Sequence, residues 1–543
     1  MKFTVLFLAL AATAAAQTPP PPPPTGTAFV RGRIVAGDTG KPLRRARVSF
    51  ASIEFPGQPR SVTTNADGRY EMKDLAAGRY NISADRSGYL TLRYGQRRPL
   101  EAARPLQVAD KQTIERVDFS LPRTGLITGR VLDEIGDPVA GAQVFALRSE
   151  FWLGRRQLVP SGPSGRTDDT GQYRITGLAP GSYIVRATTR ETWTVTRGGK
   201  KELMSFAPTY FPGTPDVRVA QRVAVGLGQQ LSAIDIAFVP GKTVSVSGTA
   251  VDTRGQPLAN IFLAQTTVGP NGGTAGGAGS AVVAPDGTFR IKDVQPGEYT
   301  LMAAGSNQVA RRPIVVASDD VEGVALVAAV TWSATGVVTS ESGEPPTVSR
   351  DRVRISANML STTPGMGMQG EPDYRQVLND DWTFSLSGIS GPMRFRVQLP
   401  DGWAVKSVLY KGRDITEAAV EPGANEDAIS GVEVVLTSTV TTVSGQLVDR
   451  QGVPLDGTIV VFSSDSEKWT DGSRFIRATR PDQFGQYHIN GLPPGDYLAV
   501  ALDYVQDGVW NDPEYLESIR RGGQRLTLKE GGSTTISPRL ATP

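Results

Sequence analysis

The side chains able to carry chemistry are few. There is one histidine, His488, and no cysteine among 543 residues. A Cys/His zinc site cannot be assembled from that set, and a cysteine nucleophile is absent. A serine–histidine–aspartate triad would have to run through His488. His488 follows Tyr487, so strand alternation turns it away from that ring and toward solvent. Carboxylates are plentiful, with 54 Asp and Glu, and a hydrolase needs only two that face each other. No acid pair recurs or stands out. The acid-rich turns Asp133-Glu134, Asp168-Asp169 and Asn379-Asp380-Asp381 offer the oxygen ligands that calcium takes. They lack EF-hand spacing, and Asp and Asn are turn formers in any case. The run 271–277, Asn-Gly-Gly-Thr-Ala-Gly-Gly, lacks the Gly-Lys-Ser/Thr ending of a phosphate loop and precedes no helix pattern. A flexible loop is the expectation there. The expectation overall is a chain that is not an enzyme and needs no cofactor or metal.

Aromatic rings offer a sharper chemistry, stacking on sugar faces beside hydrogen-bonding neighbours. Trp152 with Arg155 and Arg156 occupies a loop insertion, and Tyr210-Phe211 sits in a long connection after it. Lys468-Trp469 occupies the matching loop near the C-terminal end. Trp510 and Tyr515 flank a short helical segment at 513–521. These rings are the candidate ligand-binding residues. Their plainer role is to cap the ends of sheets.

The elements that must position these groups come from an internal repeat. Asp67-Gly68-Arg69-Tyr70, Thr170-Gly171-Gln172-Tyr173, Asp286-Gly287-Thr288-Phe289 and Phe484-Gly485-Gln486-Tyr487 share one pattern. Ten residues after each Gly comes another, Gly78, Gly181, Gly297 and Gly495. Two further on is always Tyr80, Tyr183, Tyr299 or Tyr497. An eroded fourth copy reads Asp381-Trp382-Thr383-Phe384, with Gly391 and with Met393 in place of the Tyr. The block predicts a β-hairpin. The first Gly supplies a turn conformation closed to other residues, and the flanking strands alternate. The recurrent Tyr is expected in the core with its hydroxyl at the rim.

Each copy opens on Gly32, Gly129, Gly248, Gly336 or Gly445, followed by a turn ending Gly-x-Pro, as in Gly136-Asp137-Pro138. Each closes on another alternating strand, such as 114–121 or 233–238. Six or seven short strands per roughly 100 residues predicts a β-sandwich. The expected organisation is a signal peptide at 1–16, a Pro-rich linker at 17–26, and sandwiches at 27–122, 125–240, 243–329, 331–437 (degenerate) and 440–541.

The pattern Gly-x-Val, Gly-x-Pro, Asp-Gly-x-Tyr, Leu-x-Pro-Gly-x-Tyr resembles the carboxypeptidase regulatory-like domain, a transthyretin-like (prealbumin-like) seven-stranded β-sandwich. The resemblance runs over five copies and nearly the whole mature chain. It implies an all-β tandem array and no activity. In the carboxypeptidases this domain follows a zinc peptidase, whose two His and one Glu ligands a chain with one His does not supply. Similar sandwiches include starch-binding-like domains and the B-type repeats of bacterial adhesins. Many of the latter carry a Lys–Asn crosslink, whereas Lys here occupies no recurrent strand position.

Composition bounds the partners. The net charge is +3, from 57 basic and 54 acidic residues, which argues against nucleic acid. Lys2, the apolar run that follows it and Ala14-Ala15-Ala16 before Gln17 read as a secretory signal, and residues 19–24 are six prolines that favour a stiff spacer. No later apolar run is long enough to span a membrane. Export to a periplasm, cell surface or medium is expected. The chain ends in Leu540-Ala541-Thr542-Pro543 with no sorting motif, so surface attachment would be non-covalent. Very short connections, such as residues 122–125 and 240–242, predict sandwiches set end to end as a monomeric rod. The favoured function is a non-catalytic scaffold or adhesion module that binds polysaccharide or a surface protein. The alternative is a carbohydrate-binding protein using the loop aromatics, with a carboxylate-dependent hydrolase more remote.

Overall fold

A computed structural model describes residues 25–53, 59–152, 155–269, 272–305, 308–359, 375–423, 426–470, 472–482 and 484–541. The expected leader at 1–16 and most of the proline segment lie outside the described residues. The fold is all-β, a tandem array of five β-sandwiches. Pro513–Ile519 is the one α-helix among the described residues.

Repeat two shows how the pattern becomes a sandwich. The opening strand Gly125–Leu132 pairs antiparallel with Gln172–Leu178, placing Gly129 opposite Tyr173. It pairs parallel with two short closing strands, Gln230–Leu231 and Ile236–Ala237. The facing sheet is built on Gln143–Trp152 against Gly181–Thr188. Alternation turns Tyr173, Ile175, Tyr183 and Val185 inward, where they meet Ile127 and Phe238 in one apolar cluster. The same register recurs in every copy: Gly32 faces Tyr70, Gly248 faces Phe289, Gly336 faces Phe384 and Gly445 faces Tyr487. Repeat three joins its strands into a single seven-stranded sheet, because Val321–Val330 reaches from Val244–Asp252 to Gln308–Val316.

The recurrent turn glycines do what their spacing predicts. Gly68, Gly171, Gly287 and Gly485 have φ of 72°, 71°, 80° and 75°, in the left-handed region. Copy four holds Trp382 there at φ 65°. A side chain in that conformation is strained, and Trp382 packs against the repeat-four core instead of leaving the site empty.

The recurrent Tyr is buried, and its hydroxyl has a fixed partner four residues upstream. Tyr80, Tyr183, Tyr299 and Tyr497 donate to the carbonyls of Ala76, Ala179, Gln295 and Pro493, at 2.9, 2.5, 2.9 and 2.6 Å. Each bond pins the turn to the strand that leaves it, in the manner of a tyrosine corner. Tyr183→Phe should therefore lower the stability of repeat two by about 1 kcal/mol, the net worth of one such bond. Local hydrogen exchange at residues 178–184 checks this.

Two expectations are corrected. The Gly-rich run does not form a loop. Gly272–Val282 is a strand paired antiparallel with Asn260–Gly269. The partner supplies strong strand formers, and backbone pairing needs no side chain from the glycines. Only 270 and 271, at the turn, lie outside the described residues. Nor do the sandwiches run out as a rod. Repeat five returns to repeats one and two, because two insertions of opposite charge meet there, as detailed below.

Candidate functional site

The predicted rings fall in three environments. Trp469 is 4% exposed. Its Nε1 donates to the Ser463 carbonyl at 2.8 Å, and its ring meets Phe462 edge-on at 5.5 Å between centroids. The Arg520 guanidinium covers it from outside, 5.6 Å from the ring centroid. Trp469 is a core side chain of a second apolar cluster of repeat five, and it offers no face to a sugar. The loop position suggested exposure, but a large apolar ring with one satisfied donor is stabilised more by burial. Trp469→Phe should lower the unfolding free energy of repeat five by about 1–3 kcal/mol, since the Ser463 carbonyl loses its donor. Chemical denaturation of the full chain followed by hydrogen exchange in repeat five measures that loss.

Trp510 and Tyr515 are half-buried against that same cluster. Phe211 is half-buried against the repeat-two core, and Tyr210 beside it is half-buried in a short strand paired with Arg186. Trp152 and Arg155 face each other in the hairpin register, but their side chains lie outside the described residues. Arg156 is exposed at the same hairpin and reaches across to repeat five. Its Nη2 lies 2.5 Å from Asp512 and its Nε 3.3 Å from Glu514. The structure thus uses Arg156 and the segment around Trp510 to join two repeats, which sequence spacing did not signal.

The principal junction lies between repeats one and five. Arg480 is buried, its side chain 3% exposed. Its Nη2 contacts Asp456 at 2.6 Å and its Nη1 contacts Glu101 at 3.3 Å. Nη1 also donates to the Gly95 and Ala102 carbonyls at 2.5 and 3.2 Å. Around it, Arg97 pairs with Asp456, Arg98 with Asp503 and Arg93 with Asp507, at 2.5, 2.8 and 3.3 Å. The Asp507 amide donates to the Leu100 carbonyl at 2.7 Å. A basic insertion at 93–104 therefore meets an acidic one at 503–514. Arg148 of repeat two adds a bond from Nη2 to Gln506, 2.7 Å long.

A cleft of about 710 Å³ opens between repeats four and five. Trp403, Lys406, Arg474, Arg477 and Asn490 line it. Trp403 is half-buried on the repeat-four core. Arg474 donates from Nε to Glu417 at 2.6 Å and from Nη1 to the Val405 carbonyl at 2.9 Å, tying the two repeats together. Lys406 bridges Glu341 and Glu530. No sequence pattern marked this cleft: Leu492 and Pro494 of the recurrent block line it, but its charged and aromatic side chains lie outside that block.

The acidic turns are occupied by their own backbone. Asp168 Oδ1 accepts from the Thr170 and Gln172 amides, and Asp133 Oδ1 from those of Ile135 and Asp137. Hydrogen bonding from the Thr170 hydroxyl holds the Asp168 carboxyl below the usual range. Among the described residues no group of three or more His, Asp or Glu is placed to hold a metal. His488 is exposed on its strand, opposite Ser444. No helix among the described residues is long and apolar enough to cross a membrane.

Comparison with known proteins places this architecture. The family model of the carboxypeptidase regulatory-like domain matches residues 30–122 and 126–237. No curated protein matches the chain. Among solved structures it is similar to the TIE protein of Bacillus anthracis, at 14% identity over 55% of this chain and 51% of that one, with a TM-score of 0.16. The chain thus spans about half the length of that protein. It is similar to the minor pilin of Streptococcus agalactiae at 13% identity, over 39% and 97%, with a TM-score of 0.22. It is similar to two B repeat units of the collagen-binding protein of Staphylococcus aureus at 13% identity, over 76% and 100%, with a TM-score of 0.13. The chain is a repeat protein with carboxypeptidase regulatory-like domains at residues 30–122 and 126–237.

Proposed function

We propose that the chain is an exported, non-catalytic scaffold, adhesion-like in its action, that binds through surfaces formed between its domains. The domains are those bounded by the repeat, at 27–122, 125–240, 243–329, 331–437 and 440–541. The observation that carries this reading is the investment in contacts between repeats. Buried charge at Arg480 and Glu101, and paired charge at Arg156, Arg474 and Lys406, all serve junctions. A string of independent spacers needs none of them. Charged groups removed from water are costly unless well paired, so their retention at junctions favours a fixed relative arrangement as the working part. The carboxylates described here act as turn caps or in ion pairs, which favours binding over catalysis. The test is a screen of the purified chain against immobilised glycans and surface proteins, alongside hydrolysis assays on the same glycans. Retention without turnover supports the scaffold, whereas turnover of any ligand overturns it.

A further inference from the structure

We propose that the cleft between repeats four and five binds a carboxylated saccharide, with the carboxylate on the Arg477 guanidinium and a sugar ring against Trp403. The inference rests on the reading of the chain as a scaffold that binds between its domains. Its first support is charge. Four cationic side chains line the cleft, Arg396, Lys406, Arg474 and Arg477. The acidic side chains that line it are each engaged: Glu417 with Arg474 at 2.6 Å, Glu530 with Lys406, and Asp401 with Arg79 of repeat one at 2.7 Å. Arg477 is held differently. Its Nη1 donates to the Ile476 and Ser473 carbonyls at 2.9 and 3.5 Å, which orients the guanidinium without neutralising it.

Arg477 is accessible to solvent inside the cleft, yet surrounded by protein on its other sides. That surrounding protein lowers its pKa by desolvation, which Tyr497 opposes and the neighbouring Arg474 reinforces. An incoming anion relieves both. Guanidinium and carboxylate match in a two-pronged, charge-assisted geometry.

The second support is shape and lining. A volume of about 710 Å³ lies in the range of small-molecule sites. Trp403 follows Gly402, whose φ of 87° permits the tight turn that brings the indole to the wall. Asn490 and Gln398 on the lining add neutral donors and acceptors suited to hydroxyl groups. An aromatic wall, neutral amides and a guanidinium held by backbone carbonyls describe a uronic acid better than a neutral sugar.

The test is titration of the full chain with tri-galacturonic acid, its methyl ester and a peptide with a free C-terminal carboxylate, followed by tryptophan fluorescence and calorimetry. The acid should bind saturably and the ester at least about tenfold more weakly, as loss of one charge-assisted contact predicts. R477Q should lose about tenfold toward the acid and little toward the ester, and R477K should recover part of it. Trp403→Ala should weaken both saccharides alike. Unchanged melting of each variant shows that the fold is intact. Equal binding of acid and ester, indifference to R477Q, or binding of the peptide alone would each overturn the proposal. Absence of binding by all three probes overturns it as well and leaves the scaffold reading standing, since that reading is judged by retention and turnover on the wider panel.

Discussion

Arg480→Met opens the contact between repeats one and five and weakens it by about 3–5 kcal/mol, the cost of removing one member of a buried ion pair. The substitution keeps most of the side-chain volume, so the effect reads the charge. It leaves Glu101, whose side chain is 5% exposed, facing an uncharged side chain where a guanidinium stood. Glu101 retains the Arg97 and Arg98 amides, which donate to its Oε2 at 2.9 and 3.2 Å, so the 93–104 loop keeps its own shape. The free Gly95 and Ala102 carbonyls have no such substitute. Each repeat keeps its core, since none of these groups belongs to one. The expected result is an increase in radius of gyration by solution X-ray scattering, with an unchanged far-ultraviolet spectrum and loss of exchange protection confined to 93–104 and 503–507. Unchanged scattering would show that the surface pairs suffice. They should not, because exposed pairs such as Arg98–Asp503 contribute only about 0–1 kcal/mol each. Raising the salt concentration should likewise leave the wild-type contact closed, since a buried pair is poorly screened.

The contrast between what the sequence discloses and what it conceals follows from range. The five sandwiches are legible because each hairpin is local. Gly171 and the alternation of Tyr173 and Ile175 act within a few residues of one another, and four copies repeat the signal. The return of repeat five is not legible, because its partners stand hundreds of residues apart and occur once each. The one trace of that return in the sequence is charge. Arg93, Arg97, Arg98 and Arg104 crowd an insertion in repeat one, and Asp503, Asp507 and Asp512 crowd one in repeat five. Opposite charge does not by itself specify contact, so spacing alone leaves a rod as the expectation. The burial of Trp469 is hidden from the sequence for a related reason. A break in the repeat does not say which way a ring turns, and the break at Trp469 builds a second small core with Phe462 and Leu516. Trp469 lies where the pattern stops because a second cluster packs there.

The opening glycines carry the second large effect. Gly129→Ala should destabilise repeat two by about 3–4 kcal/mol, at the upper end for inserted volume. The reason is not its φ, which lies outside the left-handed region. A Cβ at 129 would lie 2.1 Å from the Ile234 carbonyl oxygen and 2.5 Å from its carbon. Those are backbone atoms, so no rotamer relieves the clash. The closing strand crosses directly over the glycine, and the same carbonyl accepts the Tyr173 hydroxyl at 2.5 Å. Pushing the strand away therefore costs that bond too. The arrangement repeats: Gly32 lies under Val117 O, Gly248 under Val324 O, Gly336 under Val432 O and Gly445 under Ile536 O. Tyr70 and Tyr487 donate to the carbonyls of Val117 and Ile536, as Tyr173 does to Ile234. Burial pushes the Tyr487 hydroxyl up to about 12, which keeps it a neutral donor at any working pH. In repeats one to four, the residue just before the crossing carbonyl has positive φ, at Arg116, Ala233, Gly323 and Gly431. The closing strand is thus bulged so that it can cross the glycine and then pair parallel beyond it. Gly136→Ala provides the contrast. Gly136 has φ 94° and nothing within 4 Å of a new Cβ, so only backbone strain of about 1 kcal/mol is expected. Hydrogen exchange across residues 125–132 and 230–237 in the intact chain separates the two. Equal losses from both substitutions would mean that the glycine is retained for its conformation, whereas a loss at 129 several times that at 136 assigns its recurrence to the crossing strand.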